Sequence, residues 1–137
     1  MAAFIPDASV SLGWCFSDEV TPYTEALLDR LIDGEEVAVP SHWPLEVLNG
    51  VIQAKRRGRV VEQTVQWFFS SLVSFRIVVD AEPGFLRLSA IRDLAERHRL
   101  TSYDAAYLEL AIRSNLPLAT LDGALRKAAQ AEDVSLI

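Results

Sequence analysis

The sequence predicts an α/β protein, a three-layer arrangement with a small, mostly parallel sheet between helices, and three observations lead there. Short apolar runs of strand length alternate with longer stretches of helical spacing. Whole helices or helix pairs separate the strands, and a parallel neighbour is reached only through such a crossover. The 137 residues are 50% hydrophobic and 23% charged, enough to build one core as a single domain over residues 1–137 without staples.

The first strand is expected at Ala3–Pro6. Thr21-Pro22 reads as a helix cap followed by the first helical residue, with Leu27, Leu28, Leu31 and Ile32 as the buried side and Gly34 as the stop. Val37–Pro40 is the second strand. Trp43–Arg57 follows as a helix with Val47, Leu48, Val51 and Ile52 on its apolar face. Gly58 breaks that helix before another at Val61–Val73, carrying Val65, Phe68, Phe69 and Leu72, and the two are expected to form a hairpin. After a third strand at Arg76–Val79, Pro83-Gly84 opens a helix with Leu88, Ile91 and Ala95 at helical spacing. Ser102–Ser114 is nearly apolar and hence a largely buried helix. A strand at Leu116–Ala119, a helix from about Asp122 and a strand at Val134–Ile137 complete the chain.

Composition removes several chemistries. A single cysteine, Cys15, excludes a disulfide framework, and with only His42 and His98 no cage of nitrogen and sulfur ligands can be assembled, so any bound metal is held by oxygen. Cys15, between Trp14 and Phe16, reads as core. The six glycines stand singly, which excludes a glycine-rich phosphate loop, and no Gly-x-Ser-x-Gly elbow occurs. A phosphoaspartate site would want a second acid near Asp7 and a Lys from a later strand end. Here Ala8 and Ser9 follow, and the only lysines are Lys55 and Lys127. No apolar stretch approaches the ~18–20 residues that cross a bilayer, and the chain reads as a soluble cytoplasmic protein with no membrane partner. A formal charge of -6 disfavours indiscriminate polyanion binding. The run Lys55-Arg56-Arg57-Gly58-Arg59 is the one local basic patch, with a solvated helix end as its plain explanation.

Ligands of open α/β sheets collect beyond the carboxyl ends of the strands, so acids placed there take priority. Asp7 directly follows the first strand, Asp122 follows Leu118-Ala119-Thr120-Leu121, and Glu46 lies a turn inside the helix leaving the second strand. Asp104 begins the apolar helix, a conspicuous acid among Ala and Leu, placed to face the same edge. Singly, Asp7, Asp104 and Asp122 are explained as helix caps. Jointly, four carboxylates on one cleft repel unless a cation sits among them, and hard oxygen ligands suit Mg²⁺ or Mn²⁺. Asn49 and Gln53, at i+3 and i+7 from Glu46, extend a polar stripe along that helix, and His42 is near enough to flank it. Trp67, Phe68 and Phe69 read as a helix contact, with an exposed Trp there suiting a protein interface.

The segments Ile5-Pro6-Asp7-Ala8-Ser9, Pro44-Leu45-Glu46-Val47-Leu48-Asn49, Leu100 to Tyr107 and Leu118 to Asp122 occur in an order and spacing that resembles the PIN-domain ribonucleases, specifically the toxins of VapBC-type toxin–antitoxin pairs. The resemblance covers essentially the whole chain. It implies a PIN-like fold and a metal-dependent endoribonuclease whose acids fall on Asp7, Glu46, Asp104 and Asp122. Ser9 and Thr120 match hydroxyl residues that support them, and Asn49 matches a polar residue on the Glu46 helix. Asp7 and Asp104 are the expected direct ligands of Mg²⁺ or Mn²⁺, with Asp122 and Glu46 binding directly or through water. Gly123 and Ala124 stand where some members carry a further acid, so the metal count stays open between one and two. An RNA substrate, a cognate antitoxin and a homodimer are the implied partners, with Lys55, Arg56, Arg57 and Arg59 as backbone contacts to RNA. The alternative is the same fold as a binding or regulatory module with a vestigial metal site.

Overall fold

The computed structural model describes residues 1–137. In chain order it contains β1 (Ile5–Pro6), α1 (Ala8–Gly13), α2 (Pro22–Ile32), β2 (Glu36–Val39), α3 (Trp43–Arg56), α4 (Glu62–Ser74), β3 (Arg76–Val79), α5 (Phe85–His98), α6 (Ser102–Ser114), β4 (Leu118–Ala119) and α7 (Gly123–Ala131).

All strand pairing is parallel. β2 pairs with β3 over Glu36↔Arg76 to Val39↔Val79, and β1 pairs with β4 through Ile5↔Leu118 and Pro6↔Ala119. A bridge from Phe4 to Val37 joins the two ladders, and another from Leu118 to Leu136 adds the C-terminal segment, giving the order β3, β2, β1, β4, C-terminus. Strand order therefore reverses between β1 and β4, the switch point where open parallel sheets leave a crevice.

Prolines trim the strands relative to the sequence expectation. Pro40 and Pro117 have no N–H for a ladder, so β2 stops at Val39 and β4 starts at Leu118. The expected first strand, Ala3–Pro6, splits: Ala3 and Phe4 bond toward β2, whereas Ile5 and Asp7 donate to Pro117 and Ala119 on the other side. The expected last strand, Val134–Ile137, reduces to the Leu136 bridge. Helix stops fall as the glycines dictate, with Gly34 at φ +95° and Gly58 at φ +72°.

α1 packs on α2 and α3, and α6 on α5 and α7, with the sheet between the two groups. The expected α3–α4 hairpin is loose, because the main helical neighbour of α3 is α1. Trp43, Val47, Val51 and Ala54 form the covered side of α3, while Leu48 and Ile52 lie on the adjacent stripe and are exposed, as are Ile32 on α2 and Leu88 on α5. On α4 the aromatic run divides: Phe68 is buried at 2% and Trp67 is exposed at 54%. Cys15 is buried, and burial pushes its thiol up to about 11.

At the far end of α6 an ionic cluster joins three elements. Arg113 donates to Glu109 Oε1 at 2.8 Å and to Asp80 Oδ2 at 2.5 Å, and Arg87 reaches the same Asp80 oxygen at 2.6 Å. Glu109 is 6% exposed, a buried charge held by its two guanidinium partners. No helix is long and apolar enough to cross a membrane.

Candidate active site

The crevice at the switch point is built from hydroxyls. Asp7, buried at 4%, leaves β1 and caps α1, its Oδ1 accepting from Val10 N at 3.1 Å. The same oxygen accepts from Ser9 Oγ at 2.6 Å, and Oδ2 accepts from Thr120 Oγ1. Ser9 Oγ also accepts from Leu121 N across the crevice, and Thr120 Oγ1, whose own donation to Asp7 crosses it, accepts from Asp122 N within the loop, both at 3.0 Å. Ser9 and Thr120 thus stitch the end of β1 to the loop after β4. Asp122 caps α7, accepting from Leu125 N at 2.8 Å. Capping of α1 and α7, the plain explanation of these two aspartates, therefore holds together with their convergence.

Glu46 approaches from α3. Its Oε1 accepts from the Tyr107 hydroxyl at 2.6 Å, and Tyr107 is fully buried. Tyr107 is the residue whose part the sequence leaves unassigned; the signal was its i+3 spacing from Asp104 on α6, which places both on one face. Asp104 is not the cap of α6. Thr101 is, accepting from Asp104 N at 3.1 Å, so the Asp104 carboxylate has no hydrogen-bond partner and is free for a ligand.

Asp7, Glu46 and Asp104 are shifted upward, first by burial and then by neighbouring carboxylates. Burial pushes the Asp7 carboxyl above the usual range; the Ser9, Thr120 and Val10 bonds oppose this and the charge of Asp122 adds to it. Glu46 is raised by burial and by Asp7, against the Tyr107 bond. Asp104 is raised by burial and then by Asp122, Glu46 and Asp7 in turn. No Lys or Arg pairs with any of the four. His42 comes closest, its Nε2 3.7 Å from Glu46 Oε1, but burial pushes its pKa down and the ring stays neutral at neutral pH. It packs against the rings of Tyr103 and Tyr107 at 5.5 and 5.2 Å, with Nε2 buried and unpartnered.

As they stand, no three of these groups converge closely enough to cage an ion. Mg²⁺ is commonly held by one or two carboxylates and several waters, which asks less of the protein than a full cage. The all-oxygen set, uncompensated and partly desolvated, fits such a cation. Asn49 is exposed on α3 and bonds to none of the acids. Of the basic run, Lys55 is engaged by Glu62 and Arg59 by Asp18 and Glu19, whereas Arg56 and Arg57 have no acidic partner.

Comparison with known proteins agrees with this architecture. Residues 4–131 match the PIN domain. The chain belongs to the PIN domain family. PIN domains are typically metal-dependent nucleases. Among solved structures, the PIN domain here is similar to PAE2754 from Pyrobaculum aerophilum, with TM-score 0.71 and 24% identity over 93% of this chain and 79% of that one. It is also similar to FitAcB from Neisseria gonorrhoeae, with TM-score 0.60 and 24% identity over 98% of this chain and 96% of that one. No curated protein matches it significantly.

Proposed function

We propose that this PIN domain is a metal-dependent endoribonuclease acting as the toxin of a toxin–antitoxin pair. The observation that carries the nuclease reading is the gathering of Asp7, Glu46, Asp104 and Asp122 around the switch-point crevice, where burial and neighbouring carboxylates raise the pKa values of Asp7, Glu46 and Asp104 and no Lys or Arg pairs with any of the four.

Asp104, with its free carboxylate, and Asp7 are the residues that would hold Mg²⁺ or Mn²⁺, with Glu46 and Asp122 contributing directly or through water. When bound, the cation supplies Lewis acidity at the phosphodiester and a more acidic attacking water. The protein's own part is orientation. Ser9 and Thr120 hold both oxygens of Asp7, and Tyr107 holds one oxygen of Glu46 and leaves the other free. An acidic crevice repels RNA, so affinity comes from cations at its margin, of which Arg56 and Arg57 are uncommitted. The toxin reading draws on the order of motifs and on exposed apolar residues of α3 and α4, including Leu45, Leu48, Trp67 and Val73, which suit an antitoxin helix or a second copy of the chain.

The decisive experiment compares the parent with Asp104→Asn on RNA in Mg²⁺ or Mn²⁺. Cleavage is expected to fall to background in the variant while folding is retained, because Asp104 makes no side-chain hydrogen bond to lose. Full cleavage by Asp104→Asn would end the assignment.

A further inference from the structure

A groove of about 460 Å³ runs between α1 and α3, from Ser9 and Leu121 beside the acids to Arg57 and Arg59. At its floor Gly50 lets Leu12 of α1 pack directly on α3, since a Cβ there would stand 2.5 Å from Leu12 Cδ1. Arg57 lies three helical turns beyond Glu46, about 16 Å along α3. A few nucleotides of extended strand cover that distance.

The two arginines at the far end are in different states. Arg57 is exposed at the end of α3 with no acidic partner. Arg59 lies over the Phe16 ring, 4.9 Å from its centroid, and its Nη2 is fixed by Asp18 at 3.1 Å and Glu19 at 3.2 Å. Two carboxylates cancel the charge of Arg59, which removes its value as a phosphate cation. What remains is a rigid plane with one face on Phe16, which is 3% exposed, and a side chain still 34% exposed to solvent. Guanidinium planes stack on nucleobases, and only an unpaired base offers its face to one.

We infer that this groove holds single-stranded RNA leading away from the scissile phosphate, with the Arg59 plane stacking one base and Arg57 neutralising a backbone phosphate. The inference rests on the nuclease reading and gives Arg59 a different part from the backbone contact expected of the whole basic run. Leu121 and Leu12 line the path between the acids and the platform, and Gln53 stands beside it with its amide free.

The test measures binding without turnover, in the Asp104→Asn background, to a short single-stranded RNA carrying a fluorescent adenine analogue. Binding is expected to quench the fluorophore. Arg59→Lys, which keeps the charge and loses the plane, should abolish the quench and weaken binding about tenfold, with unchanged salt dependence. Arg59→Gln should also abolish the quench. Arg57→Gln should keep the quench and lower the slope of log K against log salt by about 0.7. An unaltered quench in both Arg59 variants, a reduced salt slope in Arg59→Lys, or equal quenching by a duplex of the same sequence would overturn the inference. The two failures are separable: a parent that binds and quenches but never cleaves sinks the nuclease reading, and a parent that cleaves RNA with Arg59 variants that bind as before sinks only the groove.

Discussion

Replacing Thr120 by Val keeps the shape of a fully buried side chain and removes only its hydroxyl. That hydroxyl donates to Asp7 Oδ2 and accepts from Asp122 N, so one atom serves both acids. A hydrogen bond to a charged group contributes about 1.5–3 kcal/mol, and the N–H of Asp122 left without its acceptor adds about 0.5–1 kcal/mol. No cavity opens, so the sum, about 2–4 kcal/mol, is electrostatic. For a chain of this size it lowers Tm by roughly 7–14 °C at neutral pH. The sign with pH follows from linkage. Asp7 already has a raised folded pKa, and losing a bond that lowers it raises it further. The cost is full while Asp7 is ionised in both proteins and fades as pH falls through the two folded values. The assay is thermal unfolding in EDTA at neutral and acid pH, with Thr120→Ser as the restoring control. A drop below about 2 °C at neutral pH, or a drop that persists unchanged in acid, would refute the claim that Thr120 supports the Asp7 charge.

Two further outcomes follow from the same geometry. In chelator, Asp7, Glu46 and Asp104 have folded pKa values above their unfolded ones, so their contribution to stability falls as pH rises from about 4 through those values, opposed by the lowered Glu62 and Glu132. Denaturant titration across pH should show Mg²⁺ stabilising the protein at neutral pH and Asp104→Asn gaining stability over the parent as pH rises in EDTA; identical pH profiles for the two proteins would contradict the cluster. Trp67→Glu should leave Tm within about 2 °C, the side chain being 54% exposed, and weaken self-association or antitoxin binding. Unchanged sedimentation together with unchanged antitoxin affinity would move the partner surface elsewhere.

Much of the scaffold was legible because its determinants are local. Asp7 and Asp122 follow apolar runs of strand length, Gly34 and Gly58 mark helix ends, and Ser102–Ser114 has the same bounds in sequence and structure. α1 was not delimited, since six residues are too few for a periodic signal. The apolar spacing of α3 identified a helix but not how wide a stripe would be covered, so Leu48 and Ile52 read as buried and are exposed. Long-range partners were beyond reach. The Tyr107–Glu46 bond spans 61 residues and the Arg59–Asp18 pair 41, and nothing local in either segment names the other. The acids could be chosen by their place after strands, whereas the cancelled charge of Arg59 emerges only when α1 and α3 are folded together.

The ionic cluster at the far end of α6 has a bearing on the crevice at its near end. Asp104 and Arg113 sit nine residues apart on one helix, about 13 Å along a stiff rod. Arg113 and Glu109 are tied to Asp80 beyond β3 and to Arg87 of α5, so the rod is fixed against sliding along its own axis. The Asp104 side chain carries no hydrogen bond at the other end. Its axial position is set by the helix, held by this cluster at one end and by buried Tyr107, bonded to Glu46, near the other, in the way a shaft is located by its bearings and not by its tip. The carboxylate stays unbonded and available while its coordinates remain defined, a combination that a local hydrogen bond to Asp104 would have destroyed.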